Sequence, residues 1–572
     1  MINVKEHGNF IWKVADLLRN DYKQADYGKV ILPLTVLRRL DCVLEPTKQK
    51  VLDYLPKVKN MNIQNIDPVL NNIAGLTFHN KSKFNFEKLK ADPNNIAANL
   101  KNYINGFSAS ARDILEYFSF DAQIVRLDEA DLLFQVVKRF CEIDLHPDKV
   151  SSLEMGYIFE ELIRKFSELS NETAGEHFTP REVIRLMVNL LFQNDREILT
   201  KQGIVKTLYD PAAGTGGMLS IAEEYLRELN PDARLEVFGQ EVNPESYAIC
   251  KSDMLIKGQN ISNIKFGNSF SNDGLENEKF DYMLSNPPFG VEWKKVEKQI
   301  KEEHEQMGFA GRFGAGLPRI NDGSFLFLQH MISKMKPSDG GSRIGIVFNG
   351  SPLFTGGAGS GESDIRKWII ENDMLEAIVA MPEQLFYNTG IATYVFIVTN
   401  RKPKERKGKI QLINAISFYN KMTRSLGNKR NEIGESHIET ITKLYGDFKE
   451  NEFSKIFDDK DFGYWQITVE RPLRDESGNI VKDSKGKPKA DADLRDNERV
   501  PLKEDIKTYF EREILPHLPD AWIDSSKTKK GYEINFTKYF YKYMLLRSLA
   551  EIRADILALE RETDGLLRKA VE

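Results

Sequence analysis

Apolar residues recur at helical spacing through the first 150 positions. Phe10, Ile11, Val14, Leu17 and Leu18 form one set, and the run from Val30 to Leu40 forms a second, with Pro33 expected at a helix start. Asp113–Phe118 and Leu132–Val137 continue the pattern, and Leu153–Ile163 reads as an amphipathic helix. Beyond residue 200 the period changes. Short apolar runs at 205–210, 234–240, 263–266, 279–284, 343–348 and 375–380 read as strands, with helical patterns near 217–229, 244–257, 324–336 and 363–372 between most of them. Such alternation predicts an α/β fold, a mostly parallel sheet with crossovers. Ile410–Ala415 reads as one more strand. The expected domains are a helical one over 1–150, a sheet domain over 151–415 and a C-terminal region over 416–572.

Two loops stand out. Residues 290–323 contain Trp293, several lysines and a glycine-rich stretch, and a loop this long suggests a mobile cover or a substrate-contacting segment. Residues 354–363 resemble a phosphate cradle, but no lysine follows, so a surface loop is expected. Residues 472–504 are dense in charge and poor in large apolar residues, as in an exposed insertion. Near the end, Leu549, Ile552, Ile556 and Leu559 form a stripe on a helix that needs a partner surface or its own chain to pack on.

With 572 residues, 41% hydrophobic and 29% charged, the chain suits several soluble domains. No apolar run reaches the roughly 18 residues of a membrane span, and the start lacks a signal core, so a cytoplasmic protein is expected. Cys42, Cys141 and Cys250 are far apart without metal-ligand spacing, and His177 has no clustered partners, so no metal site is expected. Arg38 and Arg39 read as a solvated face rather than phosphate contacts. The net charge is −5. A chain that grips nucleic acid unaided usually carries a basic surplus, so any such grip must come from a partner or a local patch.

The chemistry concentrates in three stretches. Leu284-Ser285-Asn286-Pro287-Pro288-Phe289-Gly290 ends a buried strand in a stiff turn. There the Asn286 amide oxygen and the Pro287 carbonyl can converge on an amino group with two donor hydrogens, and Phe289 offers a flat face for a base. The second stretch, Asp210-Pro211-Ala212-Ala213-Gly214-Thr215-Gly216-Gly217, sits between a strand and a helix start, where nucleotide-like cofactors bind in open α/β sheets. It matches neither the dinucleotide nor the P-loop pattern. Glu241 ends the next strand, where an acid can take ribose hydroxyls. The third, Gly175-Glu176-His177-Phe178-Thr179-Pro180-Arg181, precedes the sheet, with Thr179 placed as a helix N-cap and Pro180 at the first helical position.

In this order and spacing, the three stretches resemble the amino-directed S-adenosylmethionine-dependent methyltransferases. With the helical amino-terminal region, the chain looks specifically like the modification subunit of a type I restriction–modification system, an adenine-specific DNA methyltransferase. The resemblance covers most of the chain. It implies a Rossmann-like, seven-stranded sheet, with Thr393–Val398 as the inserted antiparallel strand. It implies catalysis at Asn286, Pro287, Pro288 and Phe289. Cofactor contacts are implied for Asp210, Ala212, Gly214, Thr215, Gly216, Gly217, Glu241 and Asn268. Glu176, His177, Phe178, Thr179, Pro180 and Arg181 would lie at the methionine end of the cofactor. Many relatives carry aspartate where Asn268 stands, so that contact departs from the family's pattern. The implied partners are double-stranded DNA with a flipped adenine, a specificity subunit held by the carboxy-terminal helix, a restriction subunit in the full complex and a second copy of the chain. Rival readings are a protein-glutamine or RNA methyltransferase, which also use Asn-Pro-Pro turns, and a cofactor-binding structural subunit without turnover. No helicase-like ATP motif or nuclease cluster is evident.

Overall fold

The computed structural model describes residues 13–59, 61, 63–170, 179–337, 340–387, 389–541 and 548–571. Internal contacts divide the chain into Met1–Ile534 and Asn535–Glu572. Short helices build the first 150 residues around Gly28–Lys59, a 32-residue helix. Its buried positions include Val30, Ile31, Leu34, Leu37 and Leu40. Pro33 lies inside this helix rather than at its start. The amides of Val30 and Ile31 already donate to the Tyr27 carbonyl, so the helix begins before the proline and tolerates the bond that Pro33 cannot make. Arg38 and Arg39 do not form a solvated face. The Arg38 Nε donates to the Ile143 carbonyl at 2.8 Å, and the buried Arg39 donates to the Val150 carbonyl at 2.7 Å.

The sheet strands are β1 (Val205–Asp210), β2 (Arg234–Glu241), β3 (Ile264–Phe266), β4 (Tyr282–Ser285), β5 (Arg343–Asn349), β6 (Leu375–Ala380), β7 (Thr393–Thr399) and β8 (Lys409–Asn414). A hairpin of β9 (Asn420–Leu426) and β10 (Lys429–Glu432) follows, and then β11 (Ser454–Asp458). The main sheet has nine strands in the order β11-β8-β6-β7-β5-β4-β1-β2-β3. β7 runs antiparallel between β5 and β6, as the resemblance implied. The expected seven strands are extended by β8, parallel to β6, and by β11, antiparallel to β8. Ser454–Asp458 escapes sequence reading because an edge strand needs little apolar surface to pair.

Strands β4, β5 and β6 are buried along nearly their whole length, which is why they read as continuous apolar runs. One charged network crosses this layer. Arg343 on β5 pairs with Glu376 on β6 and donates to the Tyr445 hydroxyl at 2.6 Å. The Arg406 Nε lies 3.4 Å from the same carboxylate. All three charged side chains are buried. Removing the central anion leaves two guanidinium groups uncompensated. Glu376→Ala is therefore expected to cost about 3–5 kcal/mol, read as a lowered urea midpoint with unchanged slope.

The segment 290–323 is more ordered than a bare loop. It contains the helix Glu297–Met307, and Trp293, Val296, Ile300 and Phe313 bury together with Phe270 and Leu326. Residues 472–490 form an exposed ladder of isolated bridges with turns at Asp475–Gly478 and Asp483–Gly486. In the second unit, Leu549, Ile552, Ile556 and Leu559 are exposed along the helix Leu549–Val571.

Candidate functional site

At the carboxyl ends of β1, β2 and β4 lies a cavity of about 250 Å³. This is the edge where the crossovers from β1 diverge, and ligands of open α/β sheets bind in such a crevice. Its lining brings together Thr179, Asp210, Ala212, Gly214, Thr215, Gly217, Glu241, Asn268, Asn286 and Pro288, all singled out from the sequence. Val242, Ser269, Phe270, Val291 and Phe327 also line it.

The glycine turn after β1 is shaped for close approach. Gly214 and Gly216 have φ of 54° and 83°, a region that side chains disfavour. A Cβ on Gly216 would also come within 2.8 Å of the Cys250 Sγ. Glu241 stabilises the turn: its carboxylate accepts from the Gly214 amide at 2.8 Å and from the Val242 and Asn243 amides at 2.9 and 2.7 Å. Asp210 accepts from the Ala212 amide at 2.9 Å and the Ser285 hydroxyl at 2.8 Å. Burial nevertheless pushes its carboxyl up to about 7, and the Glu241 charge adds to the rise. The folded chain thus keeps this proton where the unfolded chain has lost it. The stability contributed by the group is full at low pH and declines as pH rises from 3.8 to about 7.

Three groups that sequence reading missed hold the third wall. The Gln240 amide donates to the Asn272 carbonyl at 2.6 Å and accepts from the Gly274 amide at 3.1 Å. The Ser269 hydroxyl donates to the Pro211 carbonyl at 2.6 Å. Arg312, from the segment after the proline turn, donates to the Ser269 and Phe270 carbonyls at 2.8 and 2.7 Å while paired with Glu303 at 2.6 Å. None has a motif, since each acts on backbone of a distant segment. At Asn268, the amide oxygen accepts from the Phe270 amide at 2.9 Å, so one of its lone pairs is already used locally.

The Asn286 Nδ2 donates to the Thr179 Oγ1 at 2.9 Å. Its Oδ1 is buried and accepts from no described residue. Thr179 is therefore not the helix cap that its spacing suggested. The helix runs from Arg181, with Pro180 at the cap position and no side-chain cap, and the Thr179 hydroxyl turns to Asn286 instead. Pro287 is buried, and Phe289 is half-buried with Phe386 edge-on at 5.9 Å and 75°. Arg181 stands outside the cavity lining. Its guanidinium lies over the Tyr157 ring at 5.1 Å and against Gly156, where a Cβ would fall 1.6 Å from Nη2. Glu176, His177 and Phe178 lie outside the described residues. Among the described residues no group of three or more His, Cys, Asp or Glu could hold a metal ion, and no helix is long and apolar enough to cross a membrane.

Known proteins resemble this chain along most of its length. Residues 151–463 match the N-6 DNA methylase family model, and residues 7–140 match the HsdM N-terminal domain. The MjaIX methylase subunit of a type I restriction enzyme, from Methanocaldococcus jannaschii, is 27% identical over 464 residues, 78% of each chain. The EcoKI methylase subunit of Escherichia coli is 25% identical over 319 residues, 51% of this chain and 53% of that one. Among solved structures, a type I restriction–modification methyltransferase subunit from Streptococcus thermophilus superposes with a TM-score of 0.61 at 22% identity, covering 80% of this chain and 97% of that one.

Proposed function

Since the chain belongs to the N-6 DNA methylase family, we propose that its cavity brings S-adenosylmethionine and a flipped adenine together for methyl transfer to N6. The chain is an adenine-specific DNA methyltransferase of the type I restriction–modification class. The observation that carries the site assignment is the buried Oδ1 of Asn286, a residue of the cavity wall, which has no partner among the described residues. A buried acceptor without a donor costs about 1–3 kcal/mol, and an amino group entering the cavity removes that cost.

The residues present suit the cofactor. The glycine turn leaves room where a side chain would intrude, Glu241 Oε2 keeps one lone pair beyond its amide bond for a ribose hydroxyl, and Glu241, joined by Asp210 as its proton leaves, suits a cationic ligand. When bound, S-adenosylmethionine supplies a methyl group activated on sulfur. The protein supplies position. An adenine inside a duplex is out of reach, so the base must flip out. The Asn286 Oδ1 and the Pro287 carbonyl accept from its amino group and draw the nitrogen lone pair out of ring conjugation. Phe289 stacks on the ring, a contact typically worth about 1–3 kcal/mol. The stiffness of two consecutive prolines keeps the two acceptors in place. Recognition of the DNA sequence falls to a specificity subunit, with the carboxy-terminal helix as its holding element.

Ionisation of Asp210 favours a cation in the cavity. Affinity for S-adenosylmethionine is expected to rise as pH increases toward about 7, with proton release on binding. Calorimetry in buffers of different ionisation enthalpy reads the release, and Asp210→Asn is expected to remove it. The function itself is tested by transfer of labelled methyl to plasmid DNA, followed by nucleoside analysis. Methyladenine is expected when the specificity subunit is present. Label in protein or RNA instead would overturn the assignment.

A further inference from the structure

We propose that the β9–β10 hairpin grips the DNA backbone beside the target adenine. The proposal rests on the methyl-transfer reading above and deepens it by naming the element that holds the strand. The hairpin is pinned to the rim of the catalytic turn. The Asn428 amide donates to the Tyr387 carbonyl at 2.9 Å, and the Arg430 amide donates to the Gln384 carbonyl at 2.9 Å. The buried Lys429 bonds the Leu385 carbonyl at 3.1 Å and pairs with Glu182, next to the segment that carries Thr179. Phe386, within the same rim, is the ring packed against Phe289. The segment that holds the hairpin therefore also carries the ring that packs on Phe289.

Its charge is the second observation. Lys421, Arg424 and Arg430 are exposed, and none forms an ion pair or side-chain hydrogen bond with any described residue. Glu432, at the base, is the only acid between 420 and 432. Within the hairpin Lys429 is spent on Glu182, and nearby Arg312 and Arg185 are spent on Glu303 and Glu435. In a chain of net charge −5, three unspent cations on one short ribbon, anchored to the segment that packs on Phe289, make a local site for phosphates. Such contacts position the duplex without reading its sequence. They would hold the strand on either side of an extruded base.

The test compares the full chain, alone and with its specificity subunit, with the variant Lys421→Gln/Arg424→Gln/Arg430→Gln. Binding of a labelled duplex is measured by anisotropy across a salt series, with S-adenosylmethionine affinity measured in parallel. Each phosphate contact contributes about 0.9 to the slope of log K against log salt, so a slope smaller by about 2–3 is expected, with DNA affinity at low salt down at least about tenfold. Cofactor affinity is expected to stay the same. Changing Lys482, Lys485 and Lys487 on the exposed ladder to Gln serves as the charge control, and its slope is expected to match the parent. If the triple variant fails to fold, Arg424→Gln alone is expected to lower the slope by about 0.9. A slope unchanged in the hairpin variant, or lowered equally in the control, overturns the proposal while parental methyl transfer upholds the function. Loss of specificity-subunit binding with DNA slope intact makes the hairpin a protein contact and also overturns it. A parent that neither binds nor methylates DNA in either state overturns both.

Discussion

Asn286→Ala is expected to lower kcat for adenine methylation by about 10²–10³-fold while leaving S-adenosylmethionine affinity within a few-fold of the parent. Asn286 lines the cavity, and its Oδ1 has no partner among the described residues. Its contribution belongs to the moment when the amino nitrogen gains positive charge, so the loss should fall on kcat and kcat/KM together rather than on KM. The cofactor turn is a separate strand end, tied by Glu241 and Asp210 rather than by Asn286. Single-turnover kinetics and equilibrium cofactor binding check the two halves. Asn286→Asp retains an acceptor and is expected to lose less than the alanine variant. Equal losses would mean that the turn is needed for its shape and not for its oxygen.

The second large effect is expected at Thr179. An amide presents a donor and an acceptor that are nearly the same size, and only its surroundings decide which faces the substrate. Here the Nδ2 is spent on the Thr179 Oγ1 at 2.9 Å, which leaves the oxygen for the cavity. Thr179→Val keeps the volume and removes that acceptor. The cost of leaving the amide nitrogen unpaired is about 1–3 kcal/mol, or a fall in kcat of roughly five- to a hundredfold. Thr179→Ser is expected to restore most of the rate. Because Thr179 also lines the cofactor cavity, affinity for S-adenosylmethionine separates the two roles. A valine variant whose cofactor affinity falls as far as its kcat would make Thr179 a cofactor contact and remove its positioning role.

Thr179 also shows how far the sequence could be read. The Thr-Pro pair has the spacing of a helix cap and its neighbours match a cofactor stretch, so the residue was legible as important while its partner, 107 positions away, was not. The same boundary runs through the whole fold. Strands whose side chains are buried on both faces announce themselves as apolar runs, as β5, β6 and β7 do, while β1 and β2, buried mainly toward their carboxyl ends, also fell where apolar runs lie. The edge strand β11 and the interior position of Pro33 did not, because pairing and tertiary burial decided them. Gln240, Ser269 and Arg312 were invisible for a third reason: each binds main-chain carbonyls, and a carbonyl leaves no mark in a sequence. The segment 290–323 read as loose because its apolar residues are spaced irregularly, yet they close into one small core.

The strand order has a consequence for how such an enzyme can change. β1 and β4 are neighbours, and from this seam the chain builds outward in two directions. On one side, residues 210–270 make the cavity's donor wall in a single continuous stretch. On the other, the cavity is lined from later in the chain, by Asn286, Pro288 and Val291 of the turn after β4 and by Phe327. Inheritance can therefore treat the two walls as separate modules. Insertions or exchanges past β4 can retarget the enzyme to another base or another duplex geometry, while the grip on the methyl donor passes down untouched.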